Sequence, residues 1–195
     1  MEELLTDLMA EVRDSKAHAV HSMSSLTTDI VVDLGCIGWL APDRRSMEDS
    51  ISLLVKRFQP AVLYGFDPHP GLQEGIGKAF GTVVMTSQRA AWTFDGQVAL
   101  ELQGNCTHVT EGLRTDVGCF DLARWILELP KAELVMKMDV EGAEYVLLPH
   151  LIEQGAMERV ARLLIEWHTG RYANGLESDR DEILDLIDCP VEEWL

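Results

Sequence analysis

A short apolar run that ends at a group of acids is the feature of this chain that most limits its fold. The run LVM at 134–136 is followed by KMDVEGAE at 137–144. Such a run is typical of a strand buried in a parallel sheet, and ligands of these sheets lie outside the carboxyl ends of the strands. A second apolar run, at 161–165, ends in the same way at EWH, residues 166–168. Titratable groups at two strand ends therefore predict a functional site.

Strand and helix patterns alternate along the rest of the chain. Strands are predicted at 30–32, 62–66, 82–85, 133–139 and 160–166, and helices over 2–22, 47–58 with Ser46 as its cap, 70–80, 120–129, 143–154 and 178–188. The alternation predicts an α/β fold with a mostly parallel sheet and helices on both faces. Residues 91–102 alternate around Asp95-Gly96, which predicts a β-hairpin insertion. The polar segment 103–118 is assigned no element, and residues 189–195 allow one short edge strand.

The strings KMDVEGAEYVLL and LLIEWH resemble the FkbM-type methyltransferases, a branch of the class I S-adenosylmethionine-dependent methyltransferases. That family has a strand, then Asp-x-Glu-Gly-x-Glu, a helix, and a strand that ends in Glu-x-His. The resemblance covers residues 29–168 and implies a Rossmann-like nucleotide-binding sheet that transfers a methyl group, usually to an oxygen of a small molecule or saccharide. We expect one domain over 1–195, with a helical extension at 1–26 and a tail at 169–195.

The resemblance also implies a set of cofactor-binding residues. The segment DLGCIG at 33–38 follows the first strand like a methyltransferase glycine loop, although it is one residue shorter than the family pattern, and a strand-to-helix turn also favours Gly for structural reasons alone. We expect Gly35 to contact the methionine part of S-adenosylmethionine, so that Gly35→Val blocks binding without unfolding the protein. The residues expected to bind the cofactor are Asp33, Gly35, Cys36, Gly38, Asp67, Ser87, Ala90 and Asp139.

Two of these positions have alternative interpretations. An acid at the end of the second strand, here Asp67, accepts hydrogen bonds from ribose hydroxyls in nucleotide-binding α/β folds. The sequence DPHPG at 67–71 also fits a turn that Asp67 caps. The zone after the third strand, with Ser87 and Ala90, lines the adenine ring in the family.

The expected catalytic residues are Asp139, Glu166 and His168. Methyl transfer to a hydroxyl requires loss of the hydroxyl proton, either to a His base of near-neutral pKa or with the help of a divalent metal. We prefer the base, with no metal; Mg²⁺ or Mn²⁺ held by the same three residues is the alternative. Glu144 suits the first turn of a helix, where an acid complements the helix dipole.

Composition limits the partners. A net charge of −17 disfavours nucleic acid and anionic membranes. No apolar run approaches the ~20 residues of a membrane span, the acidic N-terminus does not fit a secretory signal, and the four cysteines form no CxxC pair. We therefore expect a cytoplasmic protein with reduced thiols and a small-molecule or saccharide acceptor. An exposed edge strand also allows a homodimer through paired edges.

Two other functions fit the same fold class. A non-catalytic nucleotide-binding module would keep the sheet and lose the chemistry, and the short glycine loop is compatible with that. An NAD-type oxidoreductase uses a similar sheet, but residues 33–38 do not contain the G-x-G-x-x-G pattern of that class, and an acid cluster has no role in hydride transfer.

Overall fold

The computed structural model of the protein describes residues 28–36, 49–72, 74–103, 106–109, 115–169 and 177–194. Its strands are β1 (Ile30–Leu34), β2 (Val62–Phe66), β3 (Gly75–Ala79), β4 (Thr82–Ser87), β5 (Ala90–Trp92), β6 (Gly96–Gln103), β7 (Cys106–Val109), β8 (Thr115–Asp121), β9 (Leu134–Met138), β10 (Val160–Ile165) and β11 (Val191–Glu193). Its helices are α1 (Ser50–Phe58), α2 (Leu122–Glu128), α3 (Glu144–Glu153) and α4 (Glu177–Leu184). The predicted helix over 2–22 and the loop residue Gly38 lie outside the described residues.

The central sheet has seven strands in the order β11-β10-β9-β1-β2-β4-β3. Neighbouring strands run parallel, except for the antiparallel pair of β3 and β4. The prediction of an α/β fold with a mostly parallel sheet is confirmed. From β1 the chain builds the sheet outward through β2 to β4, and it later builds the other half from β9 to β11. The strand order thus reverses between β1 and β9, which is where open α/β sheets bind their ligands.

Helices cover both faces of this sheet because its strands are apolar on both sides. In β1, Ile30 and Val32 pack into one core with α2 and α3, whereas Val31 packs into a second core with α1. Every residue of β1 and of β9 is buried. This explains why these strands are mostly apolar on both faces instead of alternating with polar residues, with Asp33 and Lys137 as their buried charged residues.

The first described helix begins later than predicted. Asp49 is its N-cap, and the Asp49 carboxylate accepts a hydrogen bond of 2.7 Å from the backbone N–H of Ser52. The prediction of a helix from residue 47 with Ser46 as its cap is therefore wrong. Asp49 satisfies a backbone donor of the first turn more directly than a residue three positions earlier.

The predicted helix over 70–80 is also wrong, because this segment contains β3. Gly75 and Gly77 are weak helix formers, and the two residues between β3 and β4 have positive φ angles, 49° at Phe80 and 90° at Gly81. Two consecutive positive φ angles are typical of a type I′ turn, which joins adjacent antiparallel strands. The turn therefore outweighs the helical signal of Pro70.

The predicted hairpin around Asp95-Gly96 is wrong in its pairing. Strands β5 and β6 do not pair with each other; they lie on either side of β8, in a second sheet of order β5-β8-β6-β7. Ala90 of β5 and Gly96 of β6 both pair with Cys119 of β8. Two strands of this sheet, β7 and β8, lie in or overlap the segment 103–118, for which the sequence predicted no element. With β5 on one side and β6 on the other, the backbone of β8 pairs with a neighbour on both sides.

The carboxyl-terminal edge of the central sheet is a single short strand. β11 pairs in parallel with β10, with Leu163 opposite Val191, as the prediction of one short strand at 189–195 anticipated. In the part of the chain that the structure describes, no helix is both long and apolar enough to cross a membrane.

Gly35, directly after β1, lies where no other residue fits. Its φ is +80°, and a Cβ added to it would collide with the backbone carbonyl oxygen of Asp139. The expectation that Gly35→Val would leave the fold intact is therefore contradicted. Gly35 is required for the close approach of the ends of β1 and β9, whatever binds above it.

We expect Gly35→Ala to lower the free energy of unfolding by about 3 kcal/mol or more, because it adds a backbone collision to the cost of a left-handed conformation. Gly155→Ala is the matched control, since Gly155 has a φ of +70° and open space around it, and it should cost about 1 kcal/mol. Urea denaturation of both variants measures the difference. Equal losses would show that the collision with Asp139 is relieved by a small shift of the chain.

Candidate functional site at the strand ends

A cleft of about 680 Å³, continuous with solvent, lies at the carboxyl ends of β1, β2 and β9. Most of that space is open to solvent, and its enclosed part is about 100 Å³. The central sheet contributes Gly35, Asp67 and Asp139 to its lining. The second sheet contributes the apolar residues Ala90 and Leu100 to the opposite wall.

Four of the residues predicted to bind a cofactor line this cleft, namely Gly35, Asp67, Ala90 and Asp139. The other described ones do not. Asp33 is fully buried beneath the cleft. Cys36 is fully buried in the core beside α1, and burial raises the pKa of its thiol well above the usual value. Ser87 donates a hydrogen bond of 2.9 Å to Glu74 instead of facing the cleft.

Asp67 both caps a turn and lines the cleft. One carboxylate oxygen accepts a hydrogen bond of 2.8 Å from the backbone N–H of His69, which is the turn that the sequence offered as the alternative to ribose binding. The side chain is almost completely buried, and burial raises the pKa of Asp67 to about 6. The two interpretations of Asp67 are therefore compatible with each other.

A buried ammonium group connects the strand ends below the cleft. The Nζ atom of Lys137 lies 3.2 Å from Asp33 and 3.0 Å from Asp139, and it donates hydrogen bonds to the carbonyl oxygens of Leu34 and Gly35 at 3.2 and 2.9 Å. Its side chain is 1% exposed. Burial by itself would lower the pKa of Lys137, but the charges of Asp33 and Asp139 outweigh it and raise the pKa. Lys137 therefore remains cationic and holds the end of β9 against the Gly35 loop.

We expect Lys137→Met to lower the free energy of unfolding by about 3–5 kcal/mol, because it leaves the buried Asp33 carboxylate without its counter-charge. Lys131→Met, at an exposed position, is the control and should change the stability by no more than about 0.5 kcal/mol. Urea denaturation at neutral pH measures both. A Lys137→Met protein as stable as the control would mean that Asp33 is neutral in the folded state.

His168, just after β10, is surrounded by carboxylates. Its Nδ1–H donates to the Oε1 atom of Glu144 at 2.9 Å, and its Nε2 atom lies 3.8 Å from Asp139, 3.6 Å from Glu141 and 3.7 Å from Glu166. The hydrogen bond that His168 donates to Glu144, opposed by burial and assisted by the neighbouring negative charges, raises the pKa of His168 to about 9. His168 is thus protonated at neutral pH, and in this state it cannot accept a proton. The predicted His base of near-neutral pKa does not match this environment.

Glu144 has a different role in the structure from the one that its sequence position predicted. It is the first residue of α3 and was assigned to the helix dipole, but its side chain is fully buried. Its Oε1 atom also accepts a hydrogen bond of 3.0 Å from the backbone N–H of Val140. Glu144 therefore fixes the orientation of the His168 ring. The sequence signal that could have indicated this role is the Glu-x-His pattern at the end of the next strand, because the His of that pattern needs a hydrogen-bond partner.

The structure does bring the three predicted catalytic residues together, but a different trio has the tighter geometry for a metal. Asp139, Glu141 and His168 each offer a ligand atom, and these atoms lie within 4.8 Å of one another. Glu166 is not in this set, and burial raises its pKa. Glu141, which has a positive φ of 54° and lies 3.6 Å from Nε2 of His168, takes its place. The predicted metal set of Asp139, Glu166 and His168 therefore changes by one residue.

Comparison with protein-family models, with curated proteins and with solved structures finds no match for this chain. Function is therefore inferred from the geometry and charge of the site.

The described charged side chains that line the cleft are all negative. Its lining contains three carboxylates, those of Asp67, Asp139 and Glu141, and among the described lining residues there is no Lys, Arg or His. Negative charge in a partly enclosed site attracts cations and disfavours phosphate groups. The cleft is therefore suited to a ligand that carries positive charge and hydroxyl groups.

Proposed function

We propose that this protein is an S-adenosylmethionine-dependent methyltransferase of the FkbM type that methylates an oxygen of a small molecule or saccharide. The observation that supports this most is the cleft at the point where the strand order reverses, between β1 and β9, with Asp67 and Asp139 in its lining. Nucleotide cofactors bind at this point in open α/β sheets. The proposal extends the resemblance of residues 29–168 to that family.

The charge of the cleft favours this cofactor over NAD. S-adenosylmethionine supplies a methyl group on a positively charged sulfur, and its charge is complementary to Asp139 and Glu141. NAD carries a pyrophosphate, which requires backbone N–H groups or basic side chains. The described lining contains acids where such a pyrophosphate would need cations. An oxidoreductase is therefore the weaker candidate.

Each wall of the cleft has a role in this proposal. Asp67 accepts hydrogen bonds from the ribose hydroxyls, as its place at the end of β2 suggests. Ala90 and Trp92 of β5 supply the apolar surface against which an adenine ring packs. Gly35 allows the backbone of the loop to approach the cofactor closely.

The acceptor binds on the side of Asp139 that faces β10. S-adenosylmethionine bound in the cleft would supply the methyl group, and the acceptor hydroxyl would give its proton to a carboxylate of this cluster. Asp139, Glu141 and Glu166 are the candidates for that proton, because each lies within 4 Å of Nε2 of His168. His168, protonated at neutral pH, stabilises their negative charge before the transfer.

Calorimetric titration with S-adenosylhomocysteine and with NAD tests the cofactor. We expect S-adenosylhomocysteine to bind with a stoichiometry of one and NAD to give no heat of binding. Binding of NAD alone would reject the proposal in favour of an oxidoreductase. A chain that binds S-adenosylhomocysteine but transfers no methyl group to any hydroxyl acceptor would be the non-catalytic nucleotide-binding module.

We expect Asp67→Asn to weaken S-adenosylhomocysteine binding about tenfold, or about 1.4 kcal/mol, because the neutral amide is a poorer acceptor for ribose hydroxyls. Asn keeps an oxygen for the turn at His69, so the fold should survive. Since the pKa of Asp67 is about 6, the affinity of the unmodified protein should fall as the pH drops through about 6. This drop should be absent in the variant.

Asp185→Asn, at an exposed position after α4, is the control for that experiment and should bind like the unmodified protein at every pH. If Asp67→Asn and Asp185→Asn have the same affinity and pH profile, Asp67 serves only the turn.

A further inference from the structure

We propose that Asp139, Glu141 and His168 bind one small divalent cation of the Mg²⁺ or Mn²⁺ class at the edge of the cleft. The ligand atoms are those that already lie within 4.8 Å of one another. The site goes beyond the proposed methyl transfer and does not depend on it, since these ligands are arranged by the protein alone.

The distances between the ligand atoms are close to those of a coordinated ion. The Nε2 atom of His168 lies 3.8 Å from Oδ1 of Asp139 and 3.6 Å from Oε2 of Glu141. Around an octahedral ion with bonds of about 2.1 Å, adjacent ligand atoms are about 3.0 Å apart. Movements of less than about 1 Å therefore bring Nε2 of His168 to this separation from both oxygens, and all three ligand atoms already lie within 4.8 Å of one another. The three side chains are 19–25% exposed, so they have room to make these movements.

Glu144 is an independent indication that the His168 ring is a ligand. A metal-binding His usually donates its other ring N–H to a carboxylate or carbonyl, which fixes the ring and directs the free nitrogen at the metal. Glu144 accepts from Nδ1 at 2.9 Å, and its side chain is fully buried. The Nε2 atom is thereby presented to Asp139 and Glu141, and it gives up its proton when the ion binds.

The second oxygen of Glu144 supplies a further reason. Its Oε2 atom is buried and has no hydrogen-bond partner within the described part of the chain. A buried carboxylate with one unpaired oxygen is stabilised by positive charge nearby. A divalent cation on Nε2 supplies that charge in place of the proton that His168 gives up when the ion binds.

The balance of charge around the site points to a dication. The carboxylates of Asp139, Glu141, Glu144 and Glu166 all lie within 4 Å of a His168 ring nitrogen. Among the described residues, Lys137 supplies the ammonium group that contacts Asp139, and the same group neutralises Asp33. Negative charge therefore exceeds positive charge.

Two carboxylate oxygens and one imidazole nitrogen form a hard, mixed donor set that suits Mg²⁺ and Mn²⁺. Three protein ligands leave other coordination positions for water or for a hydroxyl of a bound molecule. Asp139 and Glu141 line the cleft, so these positions are accessible to a ligand there. The class of molecule expected on the ion is a hydroxylated one that binds through oxygen.

Titration of the full-length protein with Mn²⁺, followed by the electron paramagnetic resonance signal of the free ion, tests the site without any cofactor. Salt at about 0.1 M screens the general attraction of the acidic surface for cations. We expect one Mn²⁺ per chain, bound at least tenfold more weakly in Glu141→Gln and in His168→Gln. Glu144→Gln should weaken binding about 10–100-fold, as expected for the partner of a metal-binding His.

Glu158→Gln, at an exposed position, is the control and should bind Mn²⁺ like the unmodified protein. Circular dichroism and urea denaturation verify that each variant is folded, and Glu141→Gln is the decisive variant because its side chain is not part of the core. Absence of Mn²⁺ binding, or equal affinity of Glu141→Gln, His168→Gln and Glu158→Gln, would overturn the proposal.

Binding of S-adenosylhomocysteine in the presence of EDTA separates this proposal from the proposed function. A protein that binds Mn²⁺ but not S-adenosylhomocysteine keeps the metal site and loses the methyltransferase. A protein that binds S-adenosylhomocysteine but not Mn²⁺ rejects the metal site alone.

Discussion

The ion pairs of the buried Lys137 ammonium group are the interaction on which the rest of the site depends. Lys137 joins Asp33 at the end of β1 to Asp139 at the end of β9, and it also bonds the carbonyl oxygen of Gly35. These two strands are the neighbours at which the strand order reverses. The same cation therefore positions the floor of the cleft and reduces the repulsion between its acids. Without it, Asp33 and Asp139 would repel each other across adjacent strand ends.

Much of the fold follows from local patterns in the sequence. The buried parallel strands were predictable because both of their faces are covered, so each is largely apolar in sequence. The β3–β4 hairpin was missed because its signal, two positive φ angles at Phe80 and Gly81, depends on a non-Gly residue in a left-handed conformation. The pairing of β5 with β8 was missed because it joins residues about 30 positions apart, and alternation within a segment does not identify a distant partner.

The sequence was enough to place the site at the strand ends, but it did not identify the contacts between the side chains there. The sequence places Asp139 and His168 at the ends of two strands, and parallel pairing brings these ends together. The role of Glu144 depends on a hydrogen bond between residues separated by 24 positions. The approach of Glu141 to His168 joins residues 27 positions apart. Neither contact can be read from residue types, because both join residues that are distant in the sequence.

The floor and the wall of the cleft belong to different sheets. The acids that define its charge are on the central sheet, whereas Ala90, Trp92 and Leu100 on the second sheet define its shape. The second sheet is formed by one continuous part of the chain, between β4 and α2. Substitutions or insertions there change the size of the molecule that fits, and they leave the charged groups in place. The shape of the cleft can therefore vary through this one segment while the residues that give the cleft its charge stay the same.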